Sequence, residues 1–177
     1  GGTYFARDPL GTVVSILKPT DEEPFGPNNP KGRAAPHSMG GPGIKNGVRV
    51  GEGACREVAA FLLDHHSFAG VAPTVLVETS HPGFRVGGGS PDDARTVVAM
   101  APYAAPPPVK TASMQLFVPH TCSAEDLGSS LWPVEDVHRL AVFDIRVCNL
   151  DRNTDNVLVR VTDNPPPCDT PSAPSSV

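Results

Sequence analysis

Apolar and β-branched residues cluster at the start of the chain in a pattern that predicts a hairpin. Its strands are Thr3-Tyr4-Phe5-Ala6-Arg7 and Thr12-Val13-Val14-Ser15-Ile16-Leu17-Lys18, joined by a turn at Asp8-Pro9-Leu10-Gly11. From Ala54 to about His66 the spacing changes: Ala54, Val58, Phe61 and Leu62 recur at helical intervals, and Glu52 and Arg56 form an exposed i,i+4 pair, which together predict an amphipathic helix. Thr74–Thr79 and Ser113–Val118 read as two further strands. Between them runs a long loop, 81–110, whose Gly87-Gly88-Gly89 and Pro106-Pro107-Pro108 runs argue against regular structure and predict a flexible insertion. A second helix follows Pro133, with Glu135 and Asp136 complementing its dipole. Its apolar residues Val134, Val137, Leu140, Ala141, Val142, Phe143 and Ile145 lie on most sides, so it is expected to be buried. A polar loop, Asn149 to Asn156, then leads to a strand at Val157–Val161. The fold class is α+β.

Composition narrows the picture. Of 177 residues, 21 are proline and 17 glycine, and most of these fall in 24–51, 81–110 and 164–177, which leaves a modest core elsewhere. Residues 164–177 read as a disordered tail. With 14 Lys+Arg against 19 Asp+Glu the net charge is −5, which argues against a dedicated nucleic-acid binder. No apolar run approaches the roughly 18 residues of a transmembrane segment. The four cysteines, Cys55, Cys122, Cys148 and Cys168, lack metal-ligand or disulfide-framework spacing and read as free thiols.

Several residues carry chemistry. Phosphoryl transfer from ATP needs a strand lysine for the phosphates, a helical carboxylate to orient it, a base and metal ligands. Lys18 ends a Val-Val-Ser-Ile-Leu-Lys strand comparable to the V-A-I-K pattern of kinases, and Glu57 sits at the margin of the apolar helix face, within reach of such a lysine. Each taken alone reads more readily as a solvated surface residue. Asp151 is followed five positions later by Asn156, the spacing of a kinase catalytic Asp and its Mg²⁺-binding Asn. An Asp/Asn-rich turn would give the same spacing. The residues flanking Asp151 are Leu150 and Arg152, so the H-R-D signature of ordinary protein kinases is absent. His65, His66, His138 and Trp132 carry no site in this reading.

Together these residues resemble the phosphoinositide 3-/4-kinase superfamily, and within it the type II phosphatidylinositol 4-kinases and their plant and algal gamma-type relatives. Gly1-Gly2-Thr3-Tyr4-Phe5 is similar to the family's phosphate-covering G-G-[ST]-Y-F strand, and Leu17-Lys18-Pro19-Thr20-Asp21-Glu22-Glu23-Pro24-Phe25-Gly26 to its F-K-P-x-x-E-E-P stretch. Arg56 to Asp64 resembles the gamma-type R-E-V-A-A-Y-L-L-D helix, Gln115-Leu116-Phe117-Val118 the Q-L-F-V hinge, and Asp151 to Asn156 the D-R-x-x-[DG]-N catalytic loop.

The resemblance implies ATP-dependent phosphorylation of phosphatidylinositol. Lys18 would hold the phosphates beneath the Gly1, Gly2, Thr3 and Tyr4 strand and pair with Glu57; the backbone at Gln115, Leu116, Phe117 and Val118 would hold adenine. Asp151 would be the catalytic carboxylate, Asn156 a ligand of Mg²⁺, and the Glu23-Pro24-Phe25 corner would border the lipid. It also implies a kinase-like N-lobe with its hinge at residues 1–118 and the beginning of a C-lobe at 119–163. The family's I-D-x-G metal motif is missing, with Asp163 and Asp169 the remaining candidate metal carboxylates, so the chain reads as a truncated domain.

Physics adds one feature. Lys31, Arg33, Lys45 and Arg49 lie in a stretch with no acid between positions 24 and 51, which reads either as a positive patch suited to anionic headgroups at about 1 kcal/mol per cation or as a solvated Gly/Pro loop with scattered charge. The expected protein is cytoplasmic and peripherally membrane-associated, with phosphatidylinositol as its partner. The alternatives from other classes are a kinase-like protein acting on proteins and a non-catalytic fragment that binds nucleotide or phosphoinositide.

Overall fold

The computed structural model describes residues 2–31, 39–85 and 106–160, which fall into two compact units. The first, comprising 1–59 and 73–117, is built on a sheet. Strands β1 (Tyr4–Arg7), β2 (Val13–Pro19), β3 (Thr74–Ser80) and β4 (Val109–Leu116) form it in the order β1-β2-β4-β3, antiparallel throughout. The β1–β2 turn closes because Asp8 Oδ1 accepts from the backbone N–H groups of Leu10 and Thr12, each at 2.9 Å, while Gly11 takes a φ of +87° that a side chain would resist.

The register gives the sheet two chemically different faces. Leu17, Ala112, Tyr4, Val77 and Met114 gather on one face around Phe84. Tyr4 meets Phe84 edge-on, with ring centroids 5.1 Å apart. Lys18 and Ser113, paired across β2 and β4, lie on the other. Helix α1 (Gly53–Leu63) begins where the Glu23 carboxylate accepts from the N–H groups of Gly51 and Gly53, a side-chain cap on its exposed donors.

The second unit, 60–72 with 118–177, contains α2 (Val134–Val147) and a short antiparallel pair, β5 (Cys122–Ser123) with β6 (Leu158–Val159). Pro133 occupies the cap position, and Cys148 ends α2 in the left-handed region at φ +51°.

Five expectations need correction. The first helix stops at Leu63 rather than near His66, because the buried Asp64 turns its carboxylate onto the N–H groups of Ala69 and Val71, both at 2.8 Å, and His66 and Ser67 adopt positive φ. The 81–110 loop is shorter than expected: β3 reaches Ser80, β4 starts at Val109, and Phe84 belongs to the core. Residues 86–105, like Gly1, Arg33, Val161, Asp163, Cys168 and Asp169, lie outside the described residues. The second helix is not buried. Among the described residues only Phe143 of α2 is enclosed, and Ile145 is 80% exposed. Finally, the hinge strand ends at Leu116, and the last strand is the two-residue β6, since Val157 is spent on a turn, donating to Thr154 O at 3.3 Å.

Candidate active site

The lysine and the carboxylate that the sequence singled out meet. Lys18 Nζ lies 2.7 Å from Glu57 Oε1, and the other carboxylate oxygen accepts from Ser113 Oγ at 2.6 Å. Sheet geometry explains this: Lys18 and Ser113 are direct cross-strand neighbours, so both project at Glu57, which α1 presents on its second turn. Lys18 retains 40% of its side-chain exposure, so the ammonium is oriented without being enclosed. An oriented, accessible cation of this kind suits a phosphate.

Beside it the same face is apolar. Phe5 and Ile16 are paired across β1 and β2, and Leu76 is paired with Ser113, so all three share the face of Lys18. Phe5 is 55% exposed. Tyr4 points the other way, into the core, where its hydroxyl donates to Glu22 Oε2 at 2.7 Å. Of the Gly1 to Phe5 segment, it is therefore Phe5 whose ring can meet a ligand beside Lys18. At the hinge, Leu116 N–H donates to Pro73 O at 2.8 Å and Phe117 N–H to Val14 O at 3.0 Å, while Gln115 Nε2 donates to Thr74 Oγ1 at 3.1 Å.

In the second unit the Asp151–Asn156 loop is held from within. Asn156 Nδ2 donates to Asp151 O at 2.7 Å, and its backbone N–H to Asn153 Oδ1 at 3.0 Å. Asp151 N–H donates to Asn149 Oδ1 at 2.9 Å. Asn156 is exposed, and with its amide nitrogen so engaged the side-chain atom that could ligate a cation is its oxygen. That oxygen and the Asp151 carboxylate are hard donors of the kind Mg²⁺ prefers. Among the described residues no cluster of three or more His, Cys, Asp or Glu offers an alternative cation site.

The loop is clamped to α2 by Arg152, whose Nε and Nη2 donate to the two oxygens of Asp144, both at 2.8 Å, and Asn149 Nδ2 adds a third bond at 2.8 Å. Burial pulls the Asp144 carboxyl upward, but the bonds from Arg152 and Asn149 and the guanidinium charge outweigh it, and its pKa lies below the ordinary value. A carboxyl depressed by folding contributes stability above its unfolded pKa, about 3.9, which is lost as pH falls through the lower native value. Denaturant titrations of the protein and of Asp144→Asn should therefore differ above about pH 4, the variant being less stable, and converge only as pH falls on through the lower native value. On the far side of the loop, a side-chain hydrogen bond with Asp155 pushes the Glu125 carboxyl upward.

Glu23, Pro24 and Phe25 form a tight turn, closed by Gly26 N–H donating to Glu23 O at 2.8 Å, with Phe25 at φ +68°. A bulky residue at positive φ is strained backbone. Burial raises the pKa of Glu23, opposed by the donors of Gly51 and Gly53. Its carboxylate is thus committed to the start of α1, leaving Pro24 and Phe25 as the surface of that corner. Of the expected cationic patch, Lys31 and Arg49 are exposed and Lys45 half-buried. The last two flank a hairpin-like turn in which Gly43 N–H donates to Val48 O at 2.8 Å and Gly47 takes φ +78°.

Sequence reasoning missed Ser113, the inward turn of Tyr4 and the Arg152–Asp144 clamp. The first two could have been found only from strand register; Arg152 stood beside Asp151 in plain view, but its partner lies on another element.

Residues 1–169 match the family described as phosphatidylinositol 3- and 4-kinase. Three Arabidopsis thaliana proteins are similar over nearly the whole chain. Phosphatidylinositol 4-kinase gamma 6 is 46% identical over 168 residues, covering 93% of this chain and 25% of its own length. Phosphatidylinositol 4-kinase gamma 5 is 46% identical over 163 residues, covering 92% and 25%, and gamma 7 is 47% identical over 167 residues, covering 92% and 24%. The chain thus spans about a quarter of the length of these relatives.

Proposed function

The chain belongs to the phosphatidylinositol 3- and 4-kinase family, and from that premise we propose that it forms the ATP-binding part of a phosphatidylinositol 4-kinase. The observation that carries this is the Lys18–Glu57 pair, braced by Ser113. Lys18 holds phosphate oxygens, Glu57 keeps the ammonium aimed, and Ser113 fixes the carboxylate rotamer. Phe5, Ile16 and Leu76 supply apolar surface for the nucleoside, while the N–H groups of Leu116 and Phe117 are already given to Pro73 O and Val14 O.

Within the second unit, Asp151 is the carboxylate that orients the inositol hydroxyl and receives its proton as the oxygen attacks the γ-phosphorus and ADP leaves. Asn156 is the amide ligand for Mg²⁺, which when bound neutralises phosphate charge. Arg152, locked on Asp144, keeps both residues in place without touching the reactants. The lipid approaches along Pro24 and Phe25 and the cations Lys31, Lys45 and Arg49, an arrangement that supports peripheral attachment to an anionic bilayer. No helix among the described residues is long and apolar enough to cross a membrane.

The test is transfer of radiolabel from ATP to phosphatidylinositol vesicles, expected to vanish in Asp151→Ala. Label appearing in a protein substrate while the lipid stays blank would overturn the lipid assignment.

A further inference from the structure

Behind the sheet, on the face opposite Lys18, lies a carboxylate that the reading above does not use. Glu22 is 0% exposed. Its Oε2 accepts from Tyr4 Oη at 2.7 Å, and its Oε1 from Lys110 Nζ at 2.7 Å and Arg85 N–H at 3.3 Å. Its backbone oxygen accepts from Gly2 N–H at 3.0 Å and Asn29 Nδ2 at 3.2 Å. Gly2 also rests directly on the side chain: a Cβ there would lie 1.9 Å from Glu22 Oε2. Burial, then the bond to Glu22, raises the pKa of Tyr4, so the phenol stays a donor at any ordinary pH.

These contacts converge on one stretch of backbone. Tyr4 pairs with Leu17, and continuing that register puts Thr3 opposite Lys18. The segment Gly2-Thr3 therefore runs alongside the strand end that carries Lys18, while the bonds that anchor it, from Gly2 N–H and Tyr4 Oη to Glu22, lie on the opposite face. Glycine at position 2 is explained by its contact with Glu22, whatever approaches from the front.

We propose that Glu22 is a positioning residue for the phosphates of the nucleotide, fixing the entry to β1 by gripping Tyr4 and Gly2 from behind the sheet. The inference rests on the kinase reading above, and its failure can be told apart from the failure of that reading. The variant is Tyr4→Phe, which keeps the ring against Phe84 and removes only the hydroxyl; Gly2→Ala, which forces the segment off Glu22, is the second. Each is titrated with a fluorescent ATP analogue, which is then displaced by ATP and, separately, by adenosine.

A slack β1 entry should lower affinity for ATP by about fivefold to tenfold, the worth of roughly one hydrogen bond, and leave adenosine unchanged. General loosening of the unit would weaken both ligands together. Equal losses for ATP and adenosine, or an unchanged ATP affinity in both variants, would overturn the positioning role. Failure of the unaltered protein to bind ATP would overturn the kinase reading itself.

Discussion

Lys18→Met is expected to reduce phosphoryl transfer about 10²–10³-fold, the usual cost of deleting one oriented electrostatic contact to a transition state. The geometry makes a graded prediction around it. Glu57→Gln keeps the shape and one acceptor but removes the charge that aims the ammonium, so a smaller loss of about tenfold to a hundredfold should follow, carried mainly by kcat. Ser113→Ala removes only the brace on Glu57 Oε2 and should cost about tenfold or less. Steady-state kinetics with phosphatidylinositol vesicles and Mg·ATP checks the order. A Ser113→Ala loss as large as that of Lys18→Met would mean that the hydroxyl touches the nucleotide, and the bracing role would fail.

The parts of this site that could be read in the sequence are those that local pattern determines. The β-branched run ending at Lys18 and the helical spacing around Glu57 are short-range signals, and the five-residue step from Asp151 to Asn156 fits within one loop. What escaped depends on register between distant strands. Nothing near Ser113 in the sequence says that it stands opposite Lys18; that follows from β2 pairing with β4 across 94 intervening residues, as Lys18↔Ser113 shows. Phe84 was lost inside a glycine- and proline-rich stretch, because composition marks a loop without saying that one of its residues returns to the core. The α2 helix errs in the opposite direction: its apolar content foretold burial, yet among its described residues Phe143 alone is buried.

Tyr4 and Phe5 show the same division at a single step. Adjacent strand residues face opposite ways, so a motif read as one ligand-binding unit is split by the sheet into a buried residue and a displayed one. Tyr4 turns into the core, and Phe5 stays displayed on the face of Lys18. The same logic separates the two lysines of the sheet. Lys18 is left open to solvent on the face of Glu57, while Lys110, on β4, points to the other face and ends in the interior.

Lys110→Met is accordingly expected to be the most destabilising single change at any charged position among the described residues. The Lys110 side chain is 4% exposed and its partner Glu22 is 0% exposed; the ammonium lies 2.7 Å from Glu22 and 2.9 Å from Asp21, with the Phe84 ring 5.7 Å below it. Removing it leaves a carboxylate in the interior with no counter-charge, a loss of roughly 3–5 kcal/mol for a broken buried pair. The cost is an electrostatic one rather than a packing one, since methionine fills nearly the same space. Adding Glu22→Gln to Lys110→Met removes the stranded charge while a glutamine amide can still bond to Tyr4, so the double variant should recover at least half of the loss. Urea denaturation of the two variants beside the unaltered protein measures this. A Lys110→Met penalty under about 1 kcal/mol would show that water reaches Glu22 after all, and a double variant no better than the single one would assign the loss to packing.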